Sequence, residues 1–257
     1  MSDSQRFFIE IAYKGTAYHG WQAQPNALTV QEVLDQKLST VFRQQIQSLG
    51  CGRTDAGVHA TQFYAHFDIQ NISDNLVMHT NTLKSINAIL PVDIVAKQIV
   101  KVNNTAHARF DATLRSYQYH IHFTKNPFKT EESWLLKYHD LDVVAMNQAA
   151  AIILEYDDFT SFCKSKADNH TNICKLLCCE WHKTSNGLIF YITANRFLRN
   201  MVRAIVGTLV DVGLGKLQAN QLRNIIESEN RCNAGASVPA CGLYLTKINY
   251  NYIINGQ

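Results

Sequence analysis

From Gln62 to Ile69 polar and apolar residues alternate without a break, with Phe63, Ala65, Phe67 and Ile69 opposing Gln62, Tyr64, His66 and Asp68. A period of two belongs to an extended strand and does not fit a helix, whose faces repeat every ~3.6 residues. Phe7, Ile9, Ile11 and Tyr13 show the same pattern near the start, and Arg115, Tyr117, Tyr119, Ile121 and Phe123 show it again at mid-chain. A chain with several such segments must build sheet. Asn186-Gly187, set between extended runs at 173–183 and 188–195, predicts a hairpin, because Asn and Gly tolerate the dihedrals of the tightest turns.

Helical spacing fills much of the remainder. Thr29 and Glu32 form a capping box ahead of Val30, Val33, Leu34, Leu38, Val41 and Phe42. A helix is expected near 79–89, before Pro91, and an extended stretch over 92–102. Leu141, Val144, Ala145, Ala149, Ile152, Ile153 and Tyr156 make an apolar stripe behind Asp140 or Asp142 as N-cap. Further helices near 197–212 and 218–229, a polar loop over 164–172 and a last strand from Leu243 to about Tyr252 complete the reading. Strands outnumber helices and stand beside hairpins, which predicts an α+β fold with mostly antiparallel sheet. At 257 residues with 46% hydrophobic content, the chain can hold one large domain or two intimate halves, and we divide it into lobes 1–106 and 107–257.

Composition narrows the setting. No apolar run approaches the ~18 residues needed to cross a bilayer, and the segment MSDSQRFFIEIAYKG has no basic stretch followed by an apolar block. Seven cysteines, scattered from Cys51 to Cys241, do not form a disulfide framework, so free thiols and the cytoplasm are expected. A net charge of +3 neither demands nor excludes nucleic acid, since a binding groove needs only clustered cations.

The chemistry concentrates in GCGRTDAGVHA, residues 50–60. Glycines at 50, 52 and 57 let the backbone turn tightly or approach a ligand, and they bracket one acid, Asp55. One reading is a plain turn in which Asp55 bonds its own backbone. The other makes Asp55 a nucleophile kept ionised by the cations Arg53 and His59. No second acid lies nearby in sequence, which argues against a two-carboxylate glycosidase. In NRFLRNMVRAIVG, residues 195–207, helical spacing puts Leu198, Met201, Val202, Ile205 and Val206 on one face. Arg196, Arg199 and Arg203 fall opposite, either as a solvated face or as forks for phosphate or carboxylate. Arg115, Tyr117 and Tyr119 are either ordinary sheet packing or a platform for a base. His170, Cys174, Cys178, Cys179 and His182 suggest zinc, but on a strand Cys174 and Cys178 would stand ~13 Å apart, too far for one metal, so no metal site is assigned.

Taken together, YKGTAYHGWQ (13–22), GCGRTDAGVHA, HARFDATLRSYQY (107–119), DFTSF (158–162), ANRFLRNMVRAIVG (194–207) and PACGLYL (239–245) resemble the bacterial tRNA pseudouridine synthase A family nearly end to end. The resemblance implies a two-lobed pseudouridine synthase fold, the second lobe completing the active-site cleft, in a homodimer. It further implies isomerisation of uridines at positions 38, 39 and 40 of the tRNA anticodon stem-loop, without a cofactor. By the same resemblance Asp55 is the catalytic aspartate, Tyr117 lies against the uracil, and Arg53 and Arg203 are active-site arginines, Arg203 keeping Asp55 ionised. Asp111, where a small residue is usual, and Asn172, where arginine is common, depart from the pattern and put a backbone contact to RNA in doubt. The alternative is a non-catalytic tRNA-binding protein on the same scaffold.

Overall fold

The structure, a computed structural model, describes residues 4–71, 73–137, 140–164 and 170–253. In chain order the first elements are β1 (Ser4–Tyr13), α1 (Val30–Phe42), β2 (Leu49–Gly50), β3 (His59–Gln70), α2 (Asp74–Val77), α3 (Thr80–Ile89) and β4 (Ile94–Lys101). They are followed by β5 (Leu114–His122), β6 (Trp134–Leu135), α4 (Val143–Ile153), β7 (Leu176–Thr184), β8 (Gly187–Ala194), α5 (Met201–Gly213), α6 (Gln221–Glu227) and β9 (Leu243–Asn249). The result is mixed sheet flanked by helices, the α+β class expected. Of the polar loop over 164–172, residues 165–169 lie outside the described residues.

Two compact units emerge from the packing. One comprises the residues up to Thr113 together with those from Leu245 onward, and the other Leu114–Tyr244. This division differs from the 1–106/107–257 lobes: the HARFDAT segment stays with the first unit, and the chain returns to that unit at Leu245.

In the first unit β1 lies between β3 and β4, antiparallel to both. Alternation is the usual mark of a strand with one wet face, yet Phe7, Phe8, Ile9, Glu10 and Ile11 are all buried, as are Tyr64 and His66. Both faces are covered. On one, Phe42 of α1 stacks on Phe67, which stacks on Phe7. On the other, Tyr250 and Tyr252 meet Phe8 edge-on at 5.3 and 6.1 Å. The buried Glu10 carboxyl group is satisfied by Tyr64 Oη at 2.8 Å, Gln98 Nε2 at 2.6 Å and Gln62 Nε2 at 3.3 Å, as a buried polar group requires. Thr29 caps α1 by accepting the Glu32 N–H, as its sequence predicts, and Arg43 ends the helix in the left-handed conformation. On the outer strand β4, the Asn87 side-chain amide exchanges two 2.8 Å hydrogen bonds with the backbone N–H and C=O of Ala96.

In the second unit β8 pairs antiparallel with β5 and β7, and β6 runs parallel to β5. The predicted hairpin exists, but Thr184 pairs with Gly187, so the turn is Ser185-Asn186 and Gly187 begins the strand. Its glycine serves sheet packing: a Cβ there would lie 1.9 Å from the Ile121 carbonyl oxygen of the neighbouring strand. Asp142 caps α4 by accepting the Ala145 N–H at 2.9 Å. The buried face of α4 is Val143, Met146, Ala149, Ala150, Ile152 and Ile153, whereas Val144 is 69% exposed, so the predicted stripe was out of phase at its first turn. Met146 instead packs on α5, where a Cβ on Gly213 would come within 2.5 Å of its sulfur. Asn147 bonds both N–H and C=O of Trp181 on the outer strand β7.

Candidate active site

Asp55 stands on a turn in which Val58 N–H donates to the Asp55 carbonyl at 3.1 Å. Gly57, at φ +78°, supplies the positive dihedral that a type II turn needs at its third position. Asp55 is half-buried and Arg53, two residues earlier, is exposed. The loop is gripped from behind by the segment that follows β1. Gly57 N–H donates to the Tyr18 carbonyl, Trp21 N–H to the Thr54 carbonyl, and the buried Thr54 hydroxyl meets Tyr13 Oη at 2.9 Å. Two glycines permit this approach. A Cβ on Gly15 would sit 2.0 Å from the Val58 carbonyl oxygen, and one on Gly20, at φ +90°, 2.3 Å from the Thr54 carbonyl oxygen. At Gly52 the same atom would meet nothing within 4 Å. The loop therefore touches scaffold at its base and leaves open space beside Arg53.

His59 does not serve as the second cation. It is buried, and its Nδ1 accepts the Gly15 N–H at 2.9 Å, which requires a lone pair on that nitrogen. It ties β3 to the segment that follows β1, within the first unit. Nothing in the residue pattern points directly to this bracing, although the close-set Gly15 and Gly20 of YKGTAYHGWQ are signals of tight backbone approach.

The other candidates belong to the second unit. Tyr117, half-buried on β5, faces Phe197 edge-on with ring centroids 5.1 Å apart. Neighbouring Arg115 donates from Nη1 to the Asn195 carbonyl at 2.8 Å. Arg203 lies on α5, half-buried, its Nε donating to the Val238 carbonyl at 2.7 Å, and Val238 N–H returns to the Arg203 carbonyl. This double tie fixes the direction of the guanidinium and holds the 236–238 strand-like segment along the helix, where a Cβ on Gly207 would strike the Ala236 carbonyl at 1.9 Å.

The three-arginine helix face is corrected. The helix begins at Met201, because Asn200 adopts the left-handed conformation at φ +66° and interrupts the turn before it. Arg196 and Arg199 therefore lie in the irregular segment ahead of α5, and only Arg203 is helical. The polar face of α5 is narrow. From Met201 to Gly213 every residue but Arg203 and Asp211 is buried, the pattern of a central helix with one narrow polar edge.

The departures from the family pattern have local structural partners. Asp111 accepts the His107 N–H and the Tyr252 hydroxyl, each at 2.8 Å, and Asn172 donates to Thr160 Oγ1 at 2.9 Å while its carbonyl accepts the Phe159 N–H. Among the described residues no three His, Cys, Asp or Glu side chains are grouped to hold a metal ion. Cys174 and Cys179 are buried, and burial pushes the Cys174 thiol up to about 11.

A profile of the tRNA pseudouridine synthase family matches residues 155–251. A tRNA pseudouridine synthase A of Azobacteroides pseudotrichonymphae is 48% identical over 245 residues, covering 95% of this chain and 96% of that protein. One from Bacteroides fragilis is 46% identical with 96% of each covered, and one from Bacillus subtilis 35% identical with 96% and 99% covered. The chain belongs to the tRNA pseudouridine synthase A family.

Proposed function

We propose that the chain is a tRNA pseudouridine synthase that isomerises uridine to pseudouridine at positions 38, 39 and 40 of the anticodon stem-loop, in the cytoplasm and as a homodimer. The observation that carries the reading is the near end-to-end kinship, 48% identity across 95% of the chain. No helix in the described residues is long and apolar enough to cross a membrane.

In this reaction the uracil N1–C1′ bond breaks and a C5–C1′ bond forms within one nucleotide. C5 loses a proton and N1 gains one, so atoms balance with no redox change and no water consumed. The chemistry asks for a nucleophile and for a pocket that accepts an everted nucleotide. We assign the nucleophile to Asp55. Its braced turn supports the role, since a carboxylate that must meet a ribose or base cannot wander. Arg53, exposed beside open space, holds the everted nucleotide. Tyr117 packs on the uracil, and Arg203 binds substrate with a guanidinium whose direction is set by Val238.

The test is to incubate the protein with uridine-containing tRNA, digest the product and separate its nucleosides. Pseudouridine at 38–40 is expected. Unchanged uridine despite binding makes the protein a non-catalytic tRNA binder, and free uracil makes it a hydrolase.

A further inference from the structure

The turn over 106–111 is more heavily fastened than its length requires. His107 and Asp111 close it through paired bonds, His107 N–H to Asp111 Oδ2 at 2.8 Å and Asp111 N–H to the His107 carbonyl at 3.0 Å. The N–H groups of Arg109 and Phe110 both donate to His107 Nδ1, at 3.1 and 3.2 Å. Ala108 is clamped from two sides, its N–H by His66 Nδ1 at 3.1 Å and its carbonyl by the Tyr250 hydroxyl at 2.6 Å. Every backbone N–H from His107 to Asp111 is thus spoken for by a side chain or by the turn itself.

What this turn displays is a phenylalanine that the fold does not use. Phe110 is 74% exposed, although its ring leans on His107 with centroids 4.2 Å apart. The guanidinium of Arg109 lies 5.7 Å from the Phe110 ring centroid. Asn103, Asn104, Thr105, Arg109 and Thr113, close by in sequence, are exposed and polar, and the half-exposed Tyr252 reaches the same turn with its hydroxyl on Asp111, so the ring is displayed beside mainly polar groups. A protein interface would extend the apolar surface around such a ring. An aromatic face paired with a cation, on a rigid support, matches the chemistry of an unpaired nucleotide: base on ring, phosphate on guanidinium.

We propose that the Arg109–Phe110 turn is a nucleotide-binding point outside the Asp55 loop, where Phe110 stacks on an unpaired base of the RNA substrate and Arg109 takes its phosphate. The inference rests on the tRNA reading above. The experiment measures the affinity of an unmodified tRNA transcript for the wild type and for Phe110→Ala, Phe110→Leu and Phe110→Trp, with pseudouridine formation by the wild type measured separately. Because the ring is exposed, all three variants should fold, which circular dichroism checks. Phe110→Ala and Phe110→Leu should bind roughly five- to a hundred-fold more weakly, the range for loss of one base–aromatic stack, and Phe110→Trp should bind at least as tightly as wild type. Wild-type affinity in Phe110→Ala, or full recovery with leucine, overturns the proposal. So does conversion of a dimer to a monomer by Phe110→Ala on a sizing column, which gives the ring to a second copy of the chain. If the wild type forms pseudouridine while the variants bind normally, this inference alone fails. If affinity follows the aromatic series but no pseudouridine appears, the catalytic reading fails and the contact stands.

Discussion

His66 allows a pH prediction with a definite sign. It is only 6% exposed on β3, and its Nδ1 must stay unprotonated to accept the Ala108 N–H. Burial, with Arg6 and His107 nearby, pushes its pKa down from 6.5 to about 4. The unfolded chain therefore takes up a proton near pH 6.5 and the folded chain only near pH 4. Between those values the unfolded state holds more protons, so His66 contributes stability that is present above pH 6.5 and lost as the pH falls. Worked through the two pKa values, the loss from pH 7 to pH 5 is about 2 kcal/mol. Urea unfolding of the wild type and His66→Gln at both pH values isolates this share, because every other titrating group is common to the two proteins. Glutamine offers an oxygen to Ala108 and does not titrate. The variant should lose about 2 kcal/mol less than the wild type on acidification. Equal losses would refute the reasoning and show that His66 is charged in the folded state or that its burial is relieved by water.

Asp55→Asn should bind tRNA near wild-type affinity and lose multiple turnover, since an amide is a poor nucleophile; turnover at even a hundredth of the wild-type rate in a tritium-release assay removes Asp55 from that role. Gly15→Ala should displace the Asp55 turn and cost activity by roughly ten-fold or more, because its Cβ meets backbone at 2.0 Å, whereas Gly52→Ala, whose Cβ meets no protein atom within 4 Å, should leave the melting temperature unchanged. Wild-type single-turnover rates in Gly15→Ala would mean that the scaffold yields. Asp35, whose carboxyl burial pushes up to about 6 despite its bond from Ser48 N–H, has the opposite sign to His66: the folded state holds its proton between pH 3.8 and 6, and ionisation above that costs stability. Asp35→Asn should be stabilised by roughly 1–2 kcal/mol at pH 7, discounted for partial exposure, and unchanged at pH 3.5; the check is thermal unfolding at both, and no gain at pH 7 contradicts it.

Periodicity found the strands because adjacent side chains on a strand must point opposite ways, whatever packs on them. It could not tell that both faces of β1 and β3 are covered, since the cover comes from Tyr250 and Tyr252, far away in sequence. Helix phase failed where tertiary packing decided it: Val144 looks apolar but faces out because Met146 fits against Gly213. The start of α5 differs for a local reason, a left-handed Asn200: asparagine tolerates that conformation, but the helical spacing of the apolar residues around it hides the break. At the candidate site, glycine punctuation marks the tight turn that carries Asp55, whereas the hydrogen bond that His59 makes is not legible. A histidine reads as a cation until one sees that its nitrogen accepts a backbone proton from Gly15.

Asn87 and Asn147 give the outermost strands of the two units an unexpected completeness. Each amide has the donor and acceptor of a peptide group, so at Ala96 and at Trp181 it occupies the place that one residue of a neighbouring strand would take. An incoming chain seeking to extend the ladder at either point finds it already terminated. Recruitment of a second copy must then proceed through side chains, not through shared backbone pairing at these positions. At those two positions an added strand would have to displace a side chain before it could pair.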